Sequence, residues 1–215
     1  MAARLPDGAI LTLSTSFDTP KAVSAISNAN PGAATAAAHG FTNGDLVLMS
    51  SGWSNLTNKV ARVAASAAGT FNLEGFNTTS TSRYPAGSGA GTATEILTWA
   101  QVAQVLGFTT SGGDQQFANF SFLEDDFEQQ LPTITSAQSL SIQIADDPSL
   151  AGYIALKAAS EARTVQVLRL TLPDGSFILY VGTVSLNETP TVTKGSVMAV
   201  TATMALKNRP VRYAA

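Results

Sequence analysis

Cysteine is absent from the 215 residues, which removes disulfide staples, thiolate nucleophiles and sulfur-ligated metal sites. Histidine is nearly absent as well. His39 stands alone between Ala38 and Gly40, so neither a Ser-His-Asp arrangement nor a histidine metal cluster has its members. Charge is scarce: Asp, Glu, Lys and Arg make up 13% of the chain, against about 25% in ordinary soluble domains. With 45% apolar residues, the surface must be covered by Ser, Thr, Asn and Gln, or by neighbouring subunits. No stretch approaches the ~20 apolar residues of a membrane-spanning helix, so no membrane partner is expected. Met1–Asp7 has no apolar run after its arginine, and a secretory signal is not expected either.

The remaining candidates for chemistry fail on spacing. Glu124-Asp125-Asp126-x-Glu128 offers oxygens but lacks the glycine and alternating ligand positions of a calcium loop. Asp146 and Asp147 are adjacent, which sends their side chains apart, and Asp147 has a capping role to play. Gly87, Gly89 and Gly91 do not sit between a strand and a helix, as a phosphate cradle would. The expectation is a protein with no cofactor and no enzymatic activity. Tight nucleic-acid binding is also unsupported, because the cations are scattered and the net charge is -3.

That net charge hides an asymmetry. Tyr84 to Leu156 holds eight acidic residues and no Lys or Arg, whereas Lys157 onward holds seven basic residues and three acidic ones. Segregation of this kind suits head-to-tail association between copies, or marks only a loop-rich acidic middle.

What is present is β-sheet patterning. Ile10–Phe17 alternates and reads as a first strand; Gln138–Ala145 alternates most cleanly, with Leu140, Ile142 and Ile144 against Ser139, Ser141 and Gln143. Three further strands are expected at Arg163–Leu172, Ser176–Leu186 and Ser196–Leu206. Pro173-Asp174-Gly175-Ser176 joins the first two as a tight hairpin, and Asn187–Gly195 is read as a loop leaving the sheet. Val165 and Val167 lie out of phase with Leu168, Leu170 and Leu172, which predicts a sheet covered on both sides along part of its length. Two helices are predicted. One starts at a Thr98–Gln101 capping box, with Trp99, Val102 and Leu106 on one face and Gly107 as its stop. The other starts with Asp147 as N-cap and Pro148 at N1, and lies on the sheet with Leu150, Tyr153, Ile154 and Lys157 sharing a face. The intervening Gly112–Pro132 reads as a long loop carrying Phe117, Phe120, Phe122 and Phe127 among carboxylates.

Between the first strand and this half lies a segment of different composition. Leu46–Met49, Lys59–Ala64 and Thr70–Glu74 read as strands, and Pro85–Gly91 as a flexible return linker. Residues 28–95 are expected to be an inserted small β module, with 1–27 and 96–215 as the main β-sandwich domain. Ala38–Asp45 and Thr70–Gly75 resemble small β modules of phage tail proteins.

Glu128–Pro132, Ser139–Ile142, Ala145–Pro148 with Tyr153, Pro190–Gly195, and Val200–Thr203 through Arg209–Tyr213 together resemble the major tail tube protein of long, non-contractile-tailed bacteriophages. The resemblance spans roughly Asp114 to Tyr213. It implies a mainly β fold, a β-sandwich or barrel with one or two flanking helices. Six copies would join sheets into a ring with an inner β-barrel, and rings would stack into a tail tube around a tape-measure protein. Other implied partners are the tail terminator, the distal tail proteins and the genomic DNA, which passes through unbound during ejection. The implied location is the virion tail, after assembly in the host cytoplasm. The residue reading supports this independently. Ser139, Ser141, Gln143, Thr201 and Thr203 would line the lumen without a cationic foothold for phosphates. Asp114, Glu124, Asp125, Asp126 and Glu128 would meet Lys207, Arg209 and Arg212 between subunits or rings. Two other readings stay open: a virion-attached β-sandwich adhesin or decoration module, marked by exposed aromatics in the inserted unit, and a secretion-system tube protein.

Overall fold

The computed structural model describes residues 7–215; Met1–Pro6, the start of the predicted 1–27 segment, lie outside the described residues. The fold is mostly β. The first part contains β1 (Ile10–Phe17), β2 (Lys21–Val23), β3 (Ala25–Ile26), β4 (Gly32–Thr35), β5 (Leu46–Ser51), β6 (Lys59–Ala67) and β7 (Thr70–Glu74). The middle contains β8 (Gly91–Val102), β9 (Val105–Gly112), β10 (Gln115–Phe120), β11 (Gln129–Thr135) and β12 (Gln138–Ala145). Helix α1 (Ala151–Ala162) follows, then β13 (Val165–Thr171), β14 (Phe177–Thr191), β15 (Ala199–Leu206) and β16 (Val211–Tyr213).

The strands from Lys21 to Glu95 curl into a small barrel. The order β4–β7–β6–β5–β8 is contiguous, and the short segment Lys21–Ile26 bridges its ends, with β2 on β8 and β3 on β4. Closure leaves no open margin in this unit. Its interior holds Phe41, Val47, Met49, Trp53, Leu56, Phe71 and Leu73. The Pro85–Gly91 segment, expected as a flexible linker, is anchored to the barrel at Pro85 and Gly89, with Ala86, Gly87 and Ser88 exposed between them. Trp53 Nε1 donates to the Pro85 carbonyl at 2.8 Å, and a Cβ on Gly89 would meet the Trp53 ring at 2.9 Å.

One long strand, β8, belongs to both parts. Its first half pairs with β5 in the barrel (Val47 opposite Glu95), and its second half pairs with β1 (Ser14 opposite Trp99). The sheet then runs β8–β1–β13–β14–β15–β12–β9. Helix α1 covers one side, burying Tyr153, Leu156 and Ala159 against Leu13, Leu140, Ile142, Leu168 and Met204. Each such fully buried leucine contributes roughly 1.5–3 kcal/mol. The barrel covers part of the other side, where Leu46, Val60 and Ile96 meet Val167, Leu179, Val181 and Tyr213. Val167 and Leu168 are neighbours in sequence and both 0% exposed, each in a different core. The phase mismatch in β13 thus reflects a sheet buried on two sides, as expected.

Several elements differ from expectation. Residues 98–106 are not a helix: Thr98–Val102 continue β8, Gln104 turns the chain with φ 55°, and Val105 starts β9. Trp99 and Val102, three apart, face opposite sides of the sheet, Trp99 toward the barrel and Val102 toward α1. The helical spacing was a coincidence of two strand faces. Helix α1 begins after Leu150, not at Asp147. Asp147 Oδ1 instead accepts from the Ser149 amide (3.0 Å) and hydroxyl (2.6 Å), closing a turn before the helix. Gly152 places the helix backbone so close to β8 that a Cβ would lie 2.5 Å from the Gln101 carbonyl oxygen. The buried face is accordingly Gly152, Tyr153, Leu156 and Ala159, while Ile154 is exposed. Gly112–Pro132 is an arm, not a loop: β10 and β11 pair antiparallel, Phe117 opposite Pro132 and Phe120 opposite Gln129. Strand β14 continues through Thr191, with a register shift between Asn187 and Thr191, so the loop read over Asn187–Gly195 shrinks to residues 192–198. The Pro173–Ser176 turn forms as predicted, with Gly175 at φ 81°.

Candidate functional site

Antiparallel pairing puts directly opposed residues on the same face. Ser141 lies opposite Thr203 and Gln143 opposite Thr201, while Ser139 lies opposite Ala205. The five residues predicted to line a surface therefore form one patch. Pairing extends it on both sides. Strand β9 adds Thr109 opposite Ser141 and Ser111 opposite Ser139, with the Ser111 and Ser139 hydroxyls 2.8 Å apart. Strand β14 adds Thr183, Ser185 and Asn187, opposite Ala205, Thr203 and Thr201. Across these four strands the face carries hydroxyls, amides, Ala and Gly and no charged side chain. It backs onto the α1 core and is open to solvent, with Gln143, Thr203, Ser185 and Asn187 exposed. The added residues were legible in principle, since Thr109/Ser111 and Thr183/Ser185 alternate with apolar neighbours; the misread helix and a largely apolar β14 concealed them.

This face ends at β9, whose far side has no partner strand among the described residues. An edge of this length exposes a row of unpaired backbone donors and acceptors. The β10–β11 arm prolongs the β9–β12 pair past Gly112 and Gln138. Its connection carries Glu124, Asp125, Asp126 and Glu128, all exposed, beside Phe122 (60% exposed), Leu123 and Phe127 (76%). Asp125 Oδ2 accepts from the Phe122 amide at 3.3 Å. Asp114 lies at the arm's base, where its amide donates to Ser136 Oγ.

The predicted cationic partners divide. Lys207 and Arg209 lie at the arm's base. The Lys207 amide donates to the Val181 carbonyl, and Arg209 Nη2 donates to Thr135 Oγ1. They line a cleft of about 660 Å³ with Gly112, Gly113, Gln115 and Pro210. Arg212, on β16, lies apart, beside Asp174, Ser176 and Ala215. The barrel supplies two cations that sequence reading missed, Lys59 and Arg83. Loop residues 52–58 gather them: Asn55 Nδ2 donates to the Arg83 carbonyl, Arg83 Nη2 donates to Asn55 Oδ1 at 3.4 Å, and Asn208 Nδ2 donates to the Thr57 carbonyl at 2.8 Å. Burial, reinforced by the like charges of Arg83 and Arg209, holds the Lys59 ammonium below the usual lysine range. Nothing in the sequence joins these three, since only barrel closure brings them together.

The C-terminus locks barrel to sheet. Strand β16 pairs with the start of β14, Tyr213 opposite Phe177. The Tyr213 hydroxyl accepts from the Arg62 amide (2.9 Å) and donates to the Glu74 carbonyl (3.1 Å). Arg62 lies over the Tyr213 ring at 4.9 Å and pairs with the Glu74 carboxylate, which is thereby held below its usual range. His39 is structural. Its Nδ1 accepts from the Phe41 amide (3.0 Å) and its Nε2 meets the Ala67 carbonyl (2.8 Å), between the rings of Phe41 and Phe71.

Among solved structures, the chain is similar to a protein in the virion of a native gene transfer agent particle, with 12% identity over 54% of this chain and 89% of that one, TM-score 0.41. It is also similar to chains in the anti-feeding prophage tube-terminating cap (14% identity, 54% and 83% covered, TM-score 0.36) and baseplate (10%, 55% and 86%, TM-score 0.36). No curated protein sequence matches it. Residues 51–215, from within the barrel to the last residue, match the family described as phage tail tube protein. The chain therefore belongs to the phage tail tube protein family, a structural family of the virion tail and not one of enzymes.

Proposed function

We propose that this tail tube protein works as a self-assembling conduit: six copies join edge to edge into a ring, and rings stack around a tape-measure protein to leave a bore for DNA ejection. The observation that carries the reading is the uncharged face of β9, β12, β15 and β14, which runs to an open strand edge. Pairing β9 with a neighbour's strand would satisfy its free backbone groups. A wall of Ser, Thr, Asn and Gln would offer DNA hydrogen bonds no better than water's and no cations to displace phosphate counterions. Ser139, Ser141, Gln143, Thr201 and Thr203 are the proposed lumen residues. Asp114, Glu124, Asp125, Asp126 and Glu128, with Lys207, Arg209 and Arg212, are the proposed contacts between subunits or rings. The tail terminator and distal tail proteins would close the ends, with assembly in the host cytoplasm.

The proposed division of the chain keeps 1–27 and 96–215 as the tube-forming domain and 28–95 as an inserted β module. The barrel's separate core supports it, although the barrel takes its closing strand from Lys21–Ile26 and shares β8. A role for that module as an aromatic-faced adhesin is disfavoured by its own side chains: Phe41, Trp53, Phe71, Phe76 and Tyr84 are all 7% exposed or less. Sedimentation velocity with electron microscopy, across concentration and salt, tests the reading. Rings or tubes are expected, and a chain that stays monomeric throughout would refute it.

A further inference from the structure

The cation cluster and the arm are two unsatisfied features at the same end of the molecule. Among the described residues the ion pairs are Lys21–Asp18, Arg62–Glu74 and Lys157–Glu188. None involves Lys59, Arg83, Arg209 or the four carboxylates of the arm connection. Among the described residues each of these groups therefore lacks an oppositely charged partner, in a chain that otherwise uses charge sparingly.

We propose that the acidic connection of the β10–β11 arm docks on the Lys59–Arg83–Arg209 cluster of a second copy of this chain. The inference rests on the self-assembly reading above and names one of its contacts. A copy cannot satisfy itself. Arg209 is bonded to Thr135 at the base of the arm, and the six residues of β10, at about 3.3 Å each, carry the carboxylates roughly 20 Å away from that base. The recipient must be another molecule. The contact joins two different patches, arm to cluster, and used head to tail it generates rings or filaments.

The cluster is prepared for such a partner. Asn55 and Asn208 hold Arg83 and the Arg209 backbone against the barrel loop, and the Lys59 ammonium sits 5.8 Å from the Phe76 ring, half-buried. Part of the desolvation and ordering that binding demands is therefore already complete in the free chain. The apolar residues of the arm connection have a neighbouring site as well. The cleft beside Arg209 is large enough to take an aromatic side chain such as Phe122 or Phe127. The competing recipient is the opposite end of the sheet, where the β14–β15 loop exposes Val192, Val197 and Met198. It offers one cation, Lys194, against three in the cluster.

Charge reversal with complementation tests the contact. Variant one carries Lys59→Glu and Arg83→Glu; variant two carries Asp125→Lys and Asp126→Lys. All four side chains lie on exposed or half-buried surface, so each variant should fold with an unchanged circular dichroism spectrum. Each alone should need about tenfold or more protein to assemble, and an equimolar mixture should recover assembly toward the wild-type level, because the acidic arm of variant one then meets the intact cations of variant two, and the two lysines of variant two meet the two glutamates of variant one. The natural absence of cysteine allows placement of the contact: Asp126→Cys with Arg83→Cys, treated with a short bismaleimide, should give a covalent ladder past dimer. The proposal is overturned by single variants that assemble like wild type, by a mixture that gains nothing, or by a ladder from Asp126→Cys with Lys194→Cys instead. A wild-type chain that never assembles would refute the tube reading itself, and the docking with it.

Discussion

Tyr213→Phe isolates what one hydroxyl contributes to holding the barrel on the sheet. Tyr213 is 4% exposed, and its hydroxyl joins the β6 amide of Arg62 to the β7 carbonyl of Glu74. The phenylalanine ring keeps the packing against Arg62 and Phe177 (5.4 Å between ring centres) and strands two backbone groups. A partly buried donor or acceptor left unpaired costs ~1–3 kcal/mol, so a net loss of about 2 kcal/mol is expected near neutral pH, or roughly 4–8 °C in Tm. The pH dependence supplies a second, independent signature. Burial pushes the Tyr213 hydroxyl up to about 12, from an ordinary value near 10. A raised folded-state value means that the tyrosine's contribution is complete below about pH 10 and is lost as pH rises toward and through 12, by up to about 3 kcal/mol. Wild type should therefore converge on the variant as pH climbs, with the gap nearly closed by about pH 11.5. Urea denaturation of both proteins at pH 8, 10 and 11.5 reads this directly. A gap below ~0.5 kcal/mol at pH 8, or one that does not narrow with pH, would refute the reasoning.

Other substitutions probe other links. His39→Ala removes two hydrogen bonds and a ring packed between Phe41 and Phe71 and should cost about 3 kcal/mol by chemical denaturation, without altering the assembly of the folded protein. Gly152→Ala drives a methyl against the Gln101 carbonyl and should lift α1 from β8, costing about 1–3 kcal/mol and lowering Tm by several degrees. Thr203→Lys sits on the exposed face, so its effect on monomer stability should stay within about 0.5 kcal/mol. Assembled tubes carrying it should retain DNA in a salt-dependent manner where wild-type tubes release it; equal release from both would contradict the lumen assignment.

Much of the sheet was legible because its signals are local. Pro173–Ser176 sets a turn whatever surrounds it, and the alternation in Gln138–Ala145 needs only one covered face. The pattern became ambiguous where a strand is buried on both sides. In β8, Trp99 and Val102 belong to different cores, yet their spacing imitates one helical stripe. Asp147 and Pro148 look like a helix start, and the Asp147–Ser149 turn uses the same capping chemistry one step before the helix. The proposed lumen patch was half visible: Ser139, Ser141, Gln143, Thr201 and Thr203 show period two, but register alone adds β9 and β14 to them. The Lys59–Arg83–Arg209 cluster had no sequence signal at all. It is a product of barrel closure and of a C-terminal tail that returns across the barrel loop.

A ring-level reconstruction by electron cryomicroscopy tests the central claim most directly, because it shows which sheet face looks inward. Ser141, Gln143, Thr201 and Thr203 should line the bore, with β9 paired to a neighbouring copy; an inner wall rich in Lys and Arg, or a β9 edge left open in the assembled ring, would contradict it.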